Sequence, residues 1–382
     1  MKIALLTYST QPRGSVIHTL ELGNALTQLG HQVCIYALDK DGRGFDYPVT
    51  CEVRRVPTQR APADIDLLIR QRIQEFIDDL AIAPKNHDIY HAQDCIGANA
   101  LLALRAQGKI PHFIRTVHHV EDYQSPYLQQ CQDKSIREPN LCLCVSDRWQ
   151  QALYQDYQIT APRVFNGVNM TRFSARPSGQ EIVIKQTRGL TGAPIYLTVG
   201  GIEPRKNSIR LLTAFAQVLR TQPQAQLVIA GGATLFDYQP YRDQFFQVAS
   251  QLGIEVGRSL VLPGVIPDAD LPGLYRCADV FCLPSLKEGW GLVVLEAIAC
   301  GLPVLLSHQP PFTEFLLPEQ ASWVDPESSE AIAQGMLAIL DPDLVKSITQ
   351  TYPSILPRHS WQHSARVHID QYQILLNAAI SQ

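Results

Sequence analysis

Short apolar runs alternate with amphipathic stretches along almost the whole chain, in two successive series. The first series holds KIALLTY (2–8), QVCIYAL (32–38), CEVRRV (51–56), DIYH (88–91), PHFIRTVH (111–118) and LCLCVS (141–146). KIALLTY is read as a buried parallel strand, and the runs after it as the strands that follow. Between them, Val16, Ile17, Leu20, Ala25, Leu26 and Leu29 recur at helical spacing and stop at Gly30. Ile65, Leu68, Ile69, Ile73, Phe76, Ile77 and Leu80 draw a second helical stripe, read as core packing. RVF is read as a short strand leading into NGVN (166–169), and residues 170–193 then lose periodicity and read as an interdomain linker. The second series runs through IYLTVGG (195–201), QLVIAGG (226–232), SLVLPG (259–264), DVFCLPS (279–285) and PVLLS (303–307). Strands that alternate with helices form parallel sheets covered on both faces, so the pattern predicts an α/β chain of two doubly wound, Rossmann-like domains. Ligands of such sheets bind beyond the carboxyl ends of the strands, which predicts a site in the cleft where the two domains face each other.

Composition narrows the function. Lys+Arg 32 against Asp+Glu 36 gives a net charge of −4, so no bulk positive field draws nucleic acid or anionic lipid. Nine cysteines occur without a CxxC pair or zinc-like spacing to histidine, and several sit in apolar runs, as expected of free thiols in a reducing compartment. The N-terminus lacks the pattern of a signal peptide, and no apolar run is long enough to span a bilayer. These features predict a soluble, cytosolic protein, with peripheral contact at a membrane face left open. The chain has no GxGxxG, no GxxxxGK[ST] and no HExxH, which removes the main support for a dinucleotide oxidoreductase, a P-loop NTPase and a zincin. Three D-x-D triplets, Asp64/Asp66, Asp268/Asp270 and Asp341/Asp343, fall at expected helix starts, where capping explains them better than metal binding.

The segment PSLKEGWGLVVLEAIACGLPV (284–304) carries the strongest chemical signal. An apolar strand ends at Pro284, a glycine-bearing loop holds Glu288, Gly289, Trp290 and Gly291, and a helix runs from about Gly291 to Cys300. Free N–H groups and the positive dipole end at such a helix start suit a phosphate. Glu296 sits among Leu292, Val293, Val294, Leu295, Ala297 and Ile298, so its carboxylate needs a hydrogen-bonding partner, and ribose hydroxyls would serve.

The spacing of Glu288 and Glu296 resembles the E-x7-E signature of retaining GT-B glycosyltransferases, in particular glycosyltransferase family four. The resemblance covers nearly the whole chain: PRGSVIHTLELGNALTQLGHQV resembles the family's first loop and helix, RTVHH its strand-end histidine motif, NGVN the N-G-V-D before the linker, and VLPGVIPDADLPGLYRCADVFCLPS the nucleotide-side strand and helix. It implies a first, acceptor-side domain (1–178), a second, donor-binding domain (190–357) and a C-terminal helix (358–382) that crosses back to the first. That helix is read with Trp361, Ala365, Ile369 and Tyr372 on one stripe. The resemblance further implies that Glu288 binds hydroxyls of the donor sugar. Gly289 belongs to that loop, and the N–H groups of Trp290, Gly291 and Leu292 meet the sugar or diphosphate. By the same resemblance Glu296 would hold the ribose, and the backbone of Val265 and Ile266 would frame the base. Gly14 would let its loop approach the diphosphate, and His118, otherwise read as a hydrogen-bonded buried histidine, would face the donor sugar. The family's Arg/Lys pair is incomplete: Gly201 stands at the arginine position and Lys206 at the lysine position, with Arg205 adjacent, read either as a compensating cation or as a solvated loop arginine, and Glu203 in the same loop. The implied reaction moves a sugar from a nucleotide-diphosphate donor to an acceptor hydroxyl with retention, without metal or cofactor. A sugar phosphorylase on the same fold and a non-catalytic nucleotide-sugar-binding protein are the alternatives.

Overall fold

The computed structural model describes residues 1–82, 86–232 and 238–380. Contacts divide the chain into two units: Met1–Gly167 together with Ser360–Gln382, and Val168–His359. In the first unit, β1 (Lys2–Thr7), β2 (Gln32–Asp39), β3 (Glu52–Pro57), β4 (Ile89–Ala92), β5 (Ile114–Val117) and β6 (Leu141–Cys144) form a parallel sheet in the order β3-β2-β1-β4-β5-β6. In the second, β7 (Ile195–Val199), β8 (Gln226–Ala230), β9 (Leu260–Gly264), β10 (Val280–Leu283), β11 (Val304–Ser307) and β12 (Ser322–Val324) form another, ordered β12-β11-β10-β7-β8-β9. The strand order reverses between β1 and β4 in one sheet and between β7 and β10 in the other. A crevice opens at such a switch point because the flanking connections leave in opposite directions.

The central strands of each sheet are buried on both faces, which is why they lack the alternation of a half-exposed strand, whereas the edge strand β3 carries exposed charged residues. Leu6, Tyr36, Phe76, Leu101 and Phe113 centre the first core; Phe215, Phe245, Tyr275, Phe281 and Ile298 centre the second. Among the described residues, no helix is long and apolar enough to cross a membrane.

Three local expectations are corrected, and one strand went unread. The stretch 170–193 belongs to the second unit: Phe173, Ile184 and Leu190 are buried in its core, and Glu181–Arg188 is a helix closed by Gly189 in the left-handed region. Eight residues make barely two turns, too few for periodicity to show. RVF is not a strand and contributes one isolated bridge, Cys144 to Arg163. β12 has only three residues and left no sequence signal. In the helix Trp361–Ile380 the buried positions after Trp361 are Ser364, Ala365, His368 and Tyr372, whereas Ile369 is half-buried. The inward stripe is partly polar because this helix packs on the helix Gly14–Gln28 around His18, whose ring lies 5.4 Å from Trp361 and 5.7 Å from His368.

Candidate active site

The switch point of the second sheet collects the charged residues. After β7 the chain turns at Gly200, whose φ of +143° disfavours other residues, and a Cβ there would lie 3.0 Å from the Cε of Lys206. The turn Pro204–Lys206 follows and ends at Asn207, in the left-handed region at φ 61°. The Asn207 amide then donates to the carbonyls of Pro284 (3.0 Å) and Pro326 (2.7 Å). The carbonyl of Arg205 accepts from the N–H of Leu286 at 2.8 Å. These bonds fasten the loop after β7 to the loops after β10 and β12. Sequence reading did not find Asn207; its tolerance of left-handed backbone, typical of Asn, was the available signal.

The stitching brings Lys206 Nζ to 2.6 Å from Glu288 Oε1 and Arg205 Nη1 to 3.3 Å from Glu288 Oε2, while Arg205 Nε pairs with Glu203 at 2.8 Å. Burial alone would raise the pKa of Glu288. The charges of Lys206 and Arg205 outweigh burial and hold the carboxyl below its ordinary range. Two cations and two carboxylates balance here, and the Lys206 and Glu288 side chains are only 11% and 7% exposed.

Beside this cluster, Trp290 is buried and stacks on Phe315 at 4.8 Å. Gly291 takes φ +99° and opens the helix Leu292–Ala299; a Cβ at Gly291 would fall 2.6 Å from Phe312. Gly289 and Leu292 are half-buried on either side. Among the described residues, no acceptor within the chain meets the N–H groups of Trp290, Gly291 or Leu292. A helix start of this kind attracts an anion.

Glu296 is buried, and its Oε2 accepts from the hydroxyl of Tyr275 at 2.7 Å. Burial and the neighbouring Glu296 charge push the Tyr275 phenol well up, so it stays a donor. The partner that the sequence demanded for Glu296 is thus supplied in part by the protein. Tyr275 escaped notice because a buried aromatic in a helix reads as core. After β9, Val265 is exposed and Ile266 is half-buried against the core.

Gly14 and His118 belong to the first unit. Gly14 opens the helix Gly14–Gln28, and a Cβ there would meet nothing within 4 Å, so no contact inside the chain demands glycine. His118 follows β5, and its Nε2 lies 3.0 Å from Gln93 Oε1. Burial, then the neighbouring His18 and Arg115, hold its pKa well below the ordinary value. The D-x-D triplets divide. Asp64 accepts from the N–H of Leu67, and Asp341 from those of Asp343 and Leu344, as caps do. Asp268 instead pairs with Arg172, and Asp270 with Arg188. Among the described residues, no cluster of three or more His, Cys, Asp or Glu is disposed to hold a metal.

Two family patterns match the two parts of the chain: Glycosyltransferase Family 4 over residues 12–172, and Glycosyl transferases group 1 over residues 180–350. Taken with the strand orders, they mark the chain as a glycosyltransferase of the GT-B type. It is 24% identical to an uncharacterized glycosyltransferase of Methanocaldococcus jannaschii, over 98% of this chain and 99% of that one. Among solved structures it resembles a sucrose-phosphate synthase of Thermosynechococcus elongatus, with TM-score 0.78 and 22% identity over 99% of both chains. It also resembles HepE of Anabaena in complex with UDP-glucose, with TM-score 0.77 and 17% identity over 99% of this chain and 100% of that one.

Proposed function

We propose that the protein transfers a sugar, with retention of anomeric configuration, from a nucleoside-diphosphate donor to an acceptor hydroxyl. The observation that carries this reading is the meeting of Lys206, Arg205 and Glu288 at the switch point beside the unbonded N–H groups of Trp290, Gly291 and Leu292. Cations and aligned N–H groups suit a diphosphate whose charge grows as the bond to the sugar breaks. Glu288, held ionised, accepts from sugar hydroxyls. Glu296, held by the Tyr275 hydroxyl, addresses the ribose, and the backbone at Val265 and Ile266 borders the base. Gly14 leaves room for the diphosphate, and His118 meets a substrate hydroxyl. No side chain acts as a nucleophile: the acceptor hydroxyl attacks on the face the diphosphate leaves, and the departing phosphate takes its proton. The chain's share is placement and charge.

The test is a thermal-shift screen against UDP, GDP, ADP and their sugars, followed by NMR of the product's anomeric configuration. A ligand at 100 times its Kd raises stability by about 2.7 kcal/mol, a readily measured shift. A product of inverted configuration would exclude retention.

Three smaller effects follow. Glu296→Ala raises the donor KM roughly tenfold with kcat changed less, because the lost hydrogen bonds hold the nucleoside rather than the reacting atoms; steady-state kinetics that leave KM unchanged in a folded variant remove Glu296 from the site. Arg205→Ala lowers kcat/KM by roughly tenfold, the low end for a charge-assisted bond, because Arg205 is partly exposed and shared with Glu203. An unchanged kcat/KM means Arg205 does not replace the cation missing at Gly201. Turnover survives excess EDTA, since Lys206 and the helix start take the place of a metal; loss with EDTA and recovery with Mn²⁺ or Mg²⁺ would contradict this.

A further inference from the structure

The first unit contains a buried network that leads from the C-terminal helix to His118. The hydroxyl of Tyr372 lies 2.8 Å from His91 Nδ1. His91 Nε2 lies 2.8 Å from Thr116 Oγ1 and 3.2 Å from Gln93 Nε2. Gln93 Oε1 lies 3.0 Å from His118 Nε2. Gln93 is 1% exposed, and its own N–H donates to the carbonyl of Leu6 at 3.0 Å, which fixes its place beside β1.

The donor and acceptor roles follow from the amide. An amide nitrogen only donates, so His91 Nε2 presents a lone pair, and its proton sits on Nδ1 and points to Tyr372. An amide oxygen only accepts, so the proton of His118 sits on Nε2. Burial keeps both rings neutral. His118 Nδ1 is therefore a bare lone pair, and among the described residues it has no hydrogen-bond partner. His118 keeps 9% exposure, whereas His18, His91 and His368 have none. His18 packs edge-on against the His118 ring at 4.7 Å and is itself held by Asn166 at 2.5 Å, so the plane of the His118 ring is fixed as well.

We infer that Gln93 is a positioning residue: it fixes His118 in the Nε2–H tautomer, so that Nδ1 accepts a hydrogen bond from a substrate hydroxyl. A bare imidazole nitrogen suits a hydroxyl donor and disfavours phosphate or carboxylate oxygens, which have no proton to give. Without Gln93 the ring exchanges between tautomers, and part of the population presents an N–H where the substrate also presents one. The substrate half of the inference rests on the transferase reading; the tautomer half does not.

The experiment has two arms on the full chain. Nitrogen NMR of the imidazole rings at neutral pH reads the tautomer directly. His118 protonated on Nε2 in the wild type, and a mixed population in Gln93→Leu, are the expected results. Protonation on Nδ1, the pattern of a reversed amide, overturns the inference, as does a tautomer unaffected by Gln93→Leu. The second arm is a double-mutant cycle in the transfer assay. Gln93→Leu should lower kcat by roughly 10–100-fold with nucleoside-diphosphate affinity within a few-fold. In His118→Ala the same change should cost less than threefold more, because Gln93 acts through His118. Additive losses, or loss of diphosphate affinity alone, signify a structural role and overturn it. If the wild type transfers no sugar, the transferase reading fails, and the NMR arm still decides what Gln93 does.

Discussion

Lys206→Ala should lower kcat by roughly 10²–10³-fold, the range seen when one preorganised group is removed from a developing charge. Lys206 is the better buried of the two cations, at 11% exposure against 39% for Arg205, and a charge interacts more strongly where water is scarce. Its loss should also weaken nucleoside-diphosphate binding by tenfold or more, which calorimetric titration measures. The variant has a second, independent signature. Glu288 would keep only Arg205 at 3.3 Å as its partner, in a site where burial already works against the ionised carboxyl. Its pKa should rise. A carboxyl lowered by its partners stabilises the fold above its unfolded pKa, and that contribution is lost as pH falls through the lowered value. The variant should therefore lose stability at a higher pH on acidification than the wild type. Identical acid-unfolding profiles would mean that Lys206 does not hold Glu288 ionised.

Glu288→Gln should lower kcat by about 10²-fold while nucleoside-diphosphate affinity stays within a few-fold. The amide keeps the size of the side chain and one acceptor oxygen, but it does not hold Lys206 and Arg205 by charge, and it offers a weaker acceptor to sugar hydroxyls. Freed from Glu288, Lys206 remains available to the diphosphate, so affinity for the nucleotide part survives or improves. This separation of turnover from diphosphate binding distinguishes a sugar-facing carboxylate from one that merely props up the site. An equal fall in both quantities would reassign Glu288 to phosphate-site architecture.

The parallel sheets were legible because most buried strands leave apolar runs, and eleven of the twelve ranges overlap runs read as strands in the sequence. The three-residue β12 and the eight-residue helix Glu181–Arg188 were not, since neither is long enough to show a period. At the site, Glu288, Lys206 and Gly291 stand in recognisable local order. Their meeting depends on Asn207, which bonds two carbonyls far away in the chain. Tyr275 and Gln93 were invisible for a related reason: each matters through a partner, Glu296 or His118, that it meets only after folding. His368 shows the converse. A helix read as presenting Ile369 inward instead buries a histidine, because the face it packs against is built from His18 and His91.

The central claim is that a nucleoside diphosphate binds where Lys206 and Glu288 meet, ahead of the helix opened by Gly291. Calorimetric titration of UDP, GDP and ADP against the wild type and Lys206→Ala tests it most directly. At least one of the three should bind the wild type, and its Kd should rise by tenfold or more in a folded Lys206→Ala variant. Absence of binding by all three, or equal affinity in the two proteins, would contradict the claim.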